Sequence, residues 1–444
     1  MNVFFASLGC DKNLVDSEKM LGLLDANSYT IIDDENDADA IIVNTCSFIH
    51  DAMEESINSI IEYAKLKESG KLKALIVTGC LAQRFSEEFA EELPEVDVVL
   101  GTNSYERIVE ELDNVLKGNK GNVICDSLDT LVNPEKRLLS TGGHFAYLKI
   151  AEGCNKRCTY CIIPSLRGNY RSVPIEDVIS EAKSLVAGGV KELILVAQET
   201  TLYGIDIYKK KALPELLDRL QSIDGLEWIR LLYCYPEEID DELIDAIKRN
   251  DKVCHYIDMP IQHSSDAILN AMGRKTNRES LDYIIDKLRR EIPDIVLRTT
   301  LITGFPGESE DDFEDLLEFV KKSQFERLGV FTYSREEGTV AYVLPNQLDE
   351  DVKESRRDKI MNLQQDISLK NNEMLIGNEY EVFIEGKLVD DNVYVGRTYR
   401  DAPNVDGLFF LSSSTELNSG DIVKGIVKSI NEYDLIGEHL YELS

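Results

Sequence analysis

The 444-residue sequence predicts an α/β chain in three parts: an N-terminal open parallel α/β domain, a central partial (β/α)6 barrel and a small C-terminal all-β barrel. Three observations carry this. Short apolar runs alternate with stretches of helical periodicity over most of the chain, the rhythm of parallel strands with helical crossovers. The rhythm lapses between Asn133 and Gly143, where Pro134, charged residues and Ser140-Thr141-Gly142-Gly143 read as a linker. After Gly377 it gives way to short strands broken by Gly, Asn and Asp. The boundaries follow as 1–118, a linker over 119–143, 144–375 and 376–444.

In the first part, Val3 to Leu8 reads as a strand ending at Gly9-Cys10, and Asp16 to Leu24 as a helix through Met20, Leu21, Leu23 and Leu24. Ala40 to Val43 is a second strand, leading to Asn44-Thr45-Cys46. A long helix follows with Ile57, Ile60, Ile61, Ala64 and Leu66 on one side. Ala74 to Val77 leads to Thr78-Gly79-Cys80, and Val96 to Leu100 is a fourth strand. Cys10, Cys46 and Cys80 therefore each fall just past a strand end, about one strand–helix unit apart. The carboxyl ends of parallel strands share one edge, where open α/β sheets bind ligands. Three cysteines at equivalent places in one repeat point to a three-thiolate site; three separate structural cysteines are the other reading.

The second series opens with Phe145 to Ile150 and continues with Leu193 to Ala197, Trp228 to Tyr233, Tyr256 to Ile261, Val296 to Thr303 and Leu328 to Thr332. Helical stretches such as Ile175 to Ala187, Ile239 to Ile247, Ser280 to Arg290 and Glu310 to Lys321 separate them. Six such units predict a partial barrel with its site at the carboxyl ends of the strands. The loop after the first strand carries Cys154, Cys158 and Cys161 at C-x3-C-x2-C spacing. Three thiolates leave a fourth position open. Structural zinc usually takes four protein ligands, and no histidine lies near the loop. An iron–sulfur cluster with one exposed iron fits better, with Tyr160 as an aromatic face beside it.

A connecting helix with Ile360, Leu363, Ile367 and Met374 leads to the last part. There Glu379 to Ile384, Val393 to Arg397, Leu408 to Leu411 and Ile422 to Ile430 read as the strands of a small barrel.

Composition narrows the function classes. The net charge is −34, from 82 acidic and 48 basic residues, which disfavours a nucleic-acid phosphate backbone and favours a basic protein partner. No apolar run is long enough to span a bilayer, and nine cysteines without a secretion signal point to metal or redox work in the cytoplasm rather than disulfides. Cys125, Cys234 and Cys254 lack cluster spacing and read as buried or partly buried packing. His255 and His263 read as partners in local hydrogen bonds.

The cysteine loop, with an aromatic before its last cysteine and after the first strand of a (β/α)6 series, resembles that of radical S-adenosylmethionine (SAM) enzymes. The resemblance implies that SAM chelates the open iron and that one electron releases a 5′-deoxyadenosyl radical. It also implies cofactor contacts for Tyr160, for Gln198 and Glu199 on the amino group, and for Gly304 within Thr303-Gly304-Phe305-Pro306-Gly307-Glu308 on the adenine side. The last segment also reads as a tight turn before a helix capped by Ser309. Arg298 is a candidate carboxylate partner, with a surface ion pair as the alternative; Arg167 and Arg171 are weaker candidates.

The three-part order, over essentially the whole chain, resembles the methylthiotransferases, whose C-terminal barrel is the TRAM domain. In that family Cys10, Cys46 and Cys80 would hold a second 4Fe–4S cluster that delivers sulfur, and a second SAM would donate the methyl group. Ser7-Leu8-Gly9-Cys10-Asp11-Lys12-Asn13-Leu14-Val15-Asp16-Ser17-Glu18, Leu232-Tyr233-Cys234-Tyr235-Pro236 and Tyr394 to Pro403 resemble the RimO-type members, with Asp11 where proline is usual. These modify the β-carbon of an aspartate of ribosomal protein S-twelve; the rival substrate is a transfer RNA adenosine. The electron donor implied is a flavodoxin or ferredoxin. Residues 377–444 hold 13 acids and 5 bases, which suits a basic protein substrate better than RNA.

Overall fold

The structure, a computed structural model, describes residues 1–119, 121–388 and 392–441. The N-terminal sheet contains β1 (Asn2–Ser7), β2 (Thr30–Ile32), β3 (Ala40–Thr45), β4 (Ala74–Gly79), β5 (Val98–Leu100) and β6 (Val123–Ile124). All pair in parallel, in the order β2-β1-β3-β4-β5-β6. β3 and β4 are buried along their whole length because helices cover both faces. The alternation of the strand sorts the side chains: Ile41, Val43, Leu75 and Val77 enter one core, and Ala40, Ile42, Ala74 and Ile76 the other.

Within 119–143, expected as a linker, residues 123–124 and Arg137 are built into the fold. β6 extends the N-terminal sheet, and Arg137 ties Glu18 (2.6 Å) to Glu181 (2.8 Å) of the central domain. β2 and β6 were not anticipated. They are three and two residues long, too short to show a period of their own.

The central domain opens with β7 (Phe145–Lys149) and a small antiparallel pair, β8 (Ala151–Glu152) with β9 (Arg171–Ser172), which brackets the cysteine loop. β7 then pairs in series with β10 (Glu192–Val196), β11 (Trp228–Leu231), β12 (Val253–Asp258), β13 (Val296–Thr303) and β14 (Arg327–Thr332). Every pairing is parallel and each strand lies beside the one before it, so six units curve without closing. Leu193, Leu195, Ile229, Leu231 and Leu297 pack outward under the helices. Ile194, Val196, Trp228, Tyr256 and Val296 face the other way, where Val15 of the N-terminal domain and Phe383 and Ala402 of the C-terminal domain pack against them. Both flanking domains thus cover the inner face of the open barrel.

After the helix Glu350–Glu373, β15 (Glu379–Lys387), β16 (Val393–Arg397), β17 (Phe409–Ser412), β18 (Ile422–Ile430) and β19 (Leu435–His439) close into a barrel in the order β15-β16-β17-β19-β18. β19 is the strand missing from the sequence reading. It is short and carries Gly437 and Glu438, and its place between β17 and β18 is fixed by closure rather than by local pattern.

Candidate active site

Cys46 and Cys80 each lie one residue beyond a strand, β3 and β4, and Cys10 lies three beyond β1 at the start of the helix Asp11–Ala26. The three strands are neighbours, so the cysteines meet at one edge. Gly9 has φ +91°, and a Cβ on it would stand 2.6 Å from Cβ of Cys46. Only glycine lets the Cys10 loop approach this closely. The Asn13 side-chain amide fastens the strand ends by donating to the carbonyls of Leu8 (2.7 Å) and Thr45 (3.1 Å).

The loop of Cys154, Cys158 and Cys161 is held as tightly. Gly153 has φ +80°, and a Cβ there would meet the Asn169 carbonyl oxygen at 2.2 Å. The Cys154 amide donates to Gly168 O (3.1 Å) and the Cys161 amide to Cys158 O (3.0 Å). Thr159 is clasped to the following segment through Met272 O (2.9 Å) and Ala271 O (2.8 Å). Tyr160 packs against the cluster of Phe305, Met272 and Tyr333, so the cysteine loop and the glycine motif after β13 share one apolar patch.

Buried polar residues join the two triads. Arg167 donates to Asp16 Oδ2 (2.6 Å), Glu152 Oε2 (3.2 Å), Asn13 Oδ1 (2.8 Å) and Cys80 Sγ (3.4 Å). Lys149 bridges the same Asp16 and Glu152. Glu152 in turn accepts from Gln198 Nε2 (2.7 Å) and the Gly153 amide (3.2 Å). The segment after β11 spans the same interval: Lys12 lies over the Tyr233 ring, and Lys156 and Arg274 over that of Tyr235. Sequence reasoning gave Arg167 only a weak place and none to Asp16, Glu152, Lys149, Tyr233 or Tyr235. The one signal was that Asp16, Tyr233 and Tyr235 lie in segments singled out by resemblance.

The donor sets fit iron–sulfur clusters. Burial, reinforced by the neighbouring thiols, pushes Cys46 and Cys161 up to about 12 and Cys154 to about 11, and raises Cys80 despite Arg167. Such thiols stay protonated at neutral pH unless a cationic centre takes them as thiolates. Among the described residues no three His, Cys, Asp or Glu side chains converge on a single-ion site. A cluster spreads its ligands over several irons. Beside the second triad, Gln198 Oε1 and Glu199 Oε2 are buried acceptors without hydrogen-bond partners, the polarity that an ammonium group requires. Burial pushes the Glu199 carboxyl up to about 7, although Thr201 donates to it and Lys156 lies 3.7 Å away.

The remaining candidates fall differently. Arg298 donates to Asp258 Oδ1 (2.8 Å) and lies 3.3 Å from Asp406 Oδ1, so its carboxylates are the protein's own. Gly304 forms a turn in which Glu308 accepts from the amides of Gly304 (2.7 Å) and Phe305 (3.2 Å), and Ser309 and Asp312 form a capping box. Arg171 donates to Asn169 O (2.6 Å) and pairs through its backbone with Glu152. Cys234 and Cys254 are buried, whereas Cys125, just past the edge strand β6, is exposed on one side and lies against Gly101 on the other. His263 Nδ1 accepts from the Ser265 amide (3.0 Å), and His255 Nδ1 pairs with Asp294 (2.7 Å).

Residues 148–320 match the radical SAM superfamily, residues 2–101 the uncharacterized protein family UPF0004 and residues 376–440 the TRAM domain. Over 438 residues the chain is 58% identical to the ribosomal protein uS12 methylthiotransferase RimO of Lachnoclostridium phytofermentans, covering 98% of this chain and 99% of that one. It is 50% identical to the RimO of a Thermoanaerobacter species, covering 99% and 100%. The chain belongs to the RimO methylthiotransferase family. Its closed C-terminal barrel is accordingly a TRAM domain, and as a RimO-family transferase with a radical SAM core it uses an iron–sulfur cluster and SAM. The fold is also similar to that of the radical SAM methyltransferase TsrM from Kitasatospora setae, solved with cobalamin and a 4Fe–4S cluster (TM-score 0.54, 14% identity, 74% of each chain). No described helix is long and apolar enough to cross a membrane.

Proposed function

We propose that this chain adds a methylthio group to the β-carbon of an aspartate of ribosomal protein uS12, in the cytoplasm, using two 4Fe–4S clusters and electrons from a flavodoxin or ferredoxin. The observation that supports the reading is that Arg167, in the helix just after Cys161, donates to Cys80 Sγ at 3.4 Å, in a chain 58% identical to a uS12 methylthiotransferase. Bound at Cys154, Cys158 and Cys161, a cluster with SAM supplies a hydrogen-abstracting radical, while one at Cys10, Cys46 and Cys80 supplies sulfur and a second SAM the methyl group. The chain's part is placement. Gln198 and Glu199 offer acceptors to the SAM ammonium, Tyr160 and the Gly304 turn form an apolar wall for its adenine, and Arg167 fixes the separation of the two sites. With both triads ligating, anaerobically reconstituted protein carries about eight irons, and Cys46→Ala carries about four. Mass spectrometry of uS12 from a deletion strain shows loss of the methylthio mass, restored by the wild-type gene. Loss of a methylthio group from transfer RNA alone overturns the substrate assignment.

A further inference from the structure

An aspartate modified at its β-carbon carries its carboxylate on the neighbouring carbon, so whatever recognises that carboxylate stands where the chemistry happens. A buried carboxylate needs a cation. Basic side chains gather around the two triads. Arg167 and Lys149 are committed to Asp16 and Glu152. Lys156 is held by Glu238 (2.6 Å) and Glu237 (3.3 Å). Arg274 keeps Nε and Nη1 without partners, but it stacks on Tyr235 and donates to Pro260 O (2.9 Å), on the side of the second loop.

Lys12 differs from all of these. It is two residues from Cys10, it is 7% exposed, and its ammonium donates no hydrogen bond. The ammonium lies 3.2 Å from the centre of the Tyr233 ring and 3.0 Å from Asp11 Oδ1, while the other Asp11 oxygen has no partner. Cys10 beside it is exposed, whereas the Asp11 side chain is only 10% exposed and accepts from the Tyr233 hydroxyl at 3.3 Å. Tyr233 is also held at φ +59°, with its amide on Asp258 Oδ2 (3.0 Å), a backbone state that bulky residues rarely adopt away from functional sites.

We propose that Lys12 receives the side-chain carboxylate of the substrate aspartate, in the position Asp11 fills here, and so makes the site selective for aspartate over asparagine. The inference rests on the uS12 reading above. The test compares the affinities of two uS12-derived peptides, one with the aspartate and one with asparagine in its place, for the full-length reconstituted enzyme. The ratio is internal to each protein and is insensitive to partial loading. Wild type prefers the aspartate peptide by about tenfold or more. Lys12→Gln brings the ratio to about one, and Lys12→Arg restores most of it. Should Lys12→Gln not fold, Lys12→Met, which keeps an apolar stem on Tyr233, takes its place. A wild-type ratio in the neutral variant overturns the role of Lys12. Binding of neither peptide by wild type overturns the substrate reading, and this inference with it.

Discussion

At the scale of single residues, the site is built from groups that the fold leaves incompletely paired. Glu199 is the clearest. Its ordinary value is 4.5, and burial holds it at about 7. An unfolded chain therefore releases this proton earlier in a rising titration than the folded one does. Between about 4.5 and 7 the folded state binds more protons, so stability falls as pH rises through that window and stays lowered above it. Glu199→Gln removes the penalty. The apoprotein variant gains at most about 3 kcal/mol at pH 8 and little near pH 5, as thermal melts at the two pH values read out. An equal gain at both would show that the carboxyl is not held protonated by burial. The cysteines were legible in sequence because their spacing, local in one triad and one strand–helix unit in the other, is a linear signal. Arg167 was not, because its partners Asp16 and Cys80 are 151 and 87 residues away and only the fold makes them neighbours. The partners of Arg298 are hidden for the same reason: it lies on the strand where the sequence puts it, but the carboxylates it pairs with, Asp258 and Asp406, come from another strand and another domain.

At the scale of elements, strands are readable where they are long and apolar, including β7 and β14 at the two edges of the central sheet. β13 and β18 match their sequence readings end to end, whereas β2, β6 and β19 are too short or too polar to declare themselves. The segment Tyr394 to Pro403, which begins in the strand read over Val393 to Arg397, docks the TRAM barrel. Arg397 is fully buried and pairs with Glu192 at the amino end of β10, Arg230 donates to the same carboxylate (2.8 Å) and to Tyr399 O (2.6 Å), and Arg327 pairs with Asp401. Two arginines around one carboxylate hold it ionised against the cost of burial. Removing one partner of such a pair leaves charge uncompensated. Arg397→Ala is expected to cost about 3–5 kcal/mol. The effect belongs to the docking of one element on another, so it is read as new protease cleavage around residues 398–406 at temperatures where wild type resists. Unchanged protection would mean that Phe383 and Ala402, which pack on the inner face of the central sheet, suffice to hold the barrel.

At the scale of the whole molecule, the question is how an acidic chain meets its partner. The excess of 34 acids is spread over all three domains, but residues 377–444 carry 8 of it in a barrel that has a free outer surface. Glu379, Glu381, Glu416, Glu432 and Glu438 are exposed there. Long-range attraction between an acidic surface and a basic protein acts mainly on the association rate, and salt screens it over about 10 Å at 0.1 M. If the barrel guides uS12 to the cysteine sites, replacing these five glutamates with glutamine slows association by about tenfold at low ionic strength. The difference from wild type should vanish near 0.5 M salt, while dissociation, governed by close contacts such as the one assigned to Lys12, stays the same. Stopped-flow binding at two salt concentrations separates the two rates. An association rate untouched by the five substitutions would place the guiding field on the N-terminal or central domain, leaving the barrel as a cover for the open sheet.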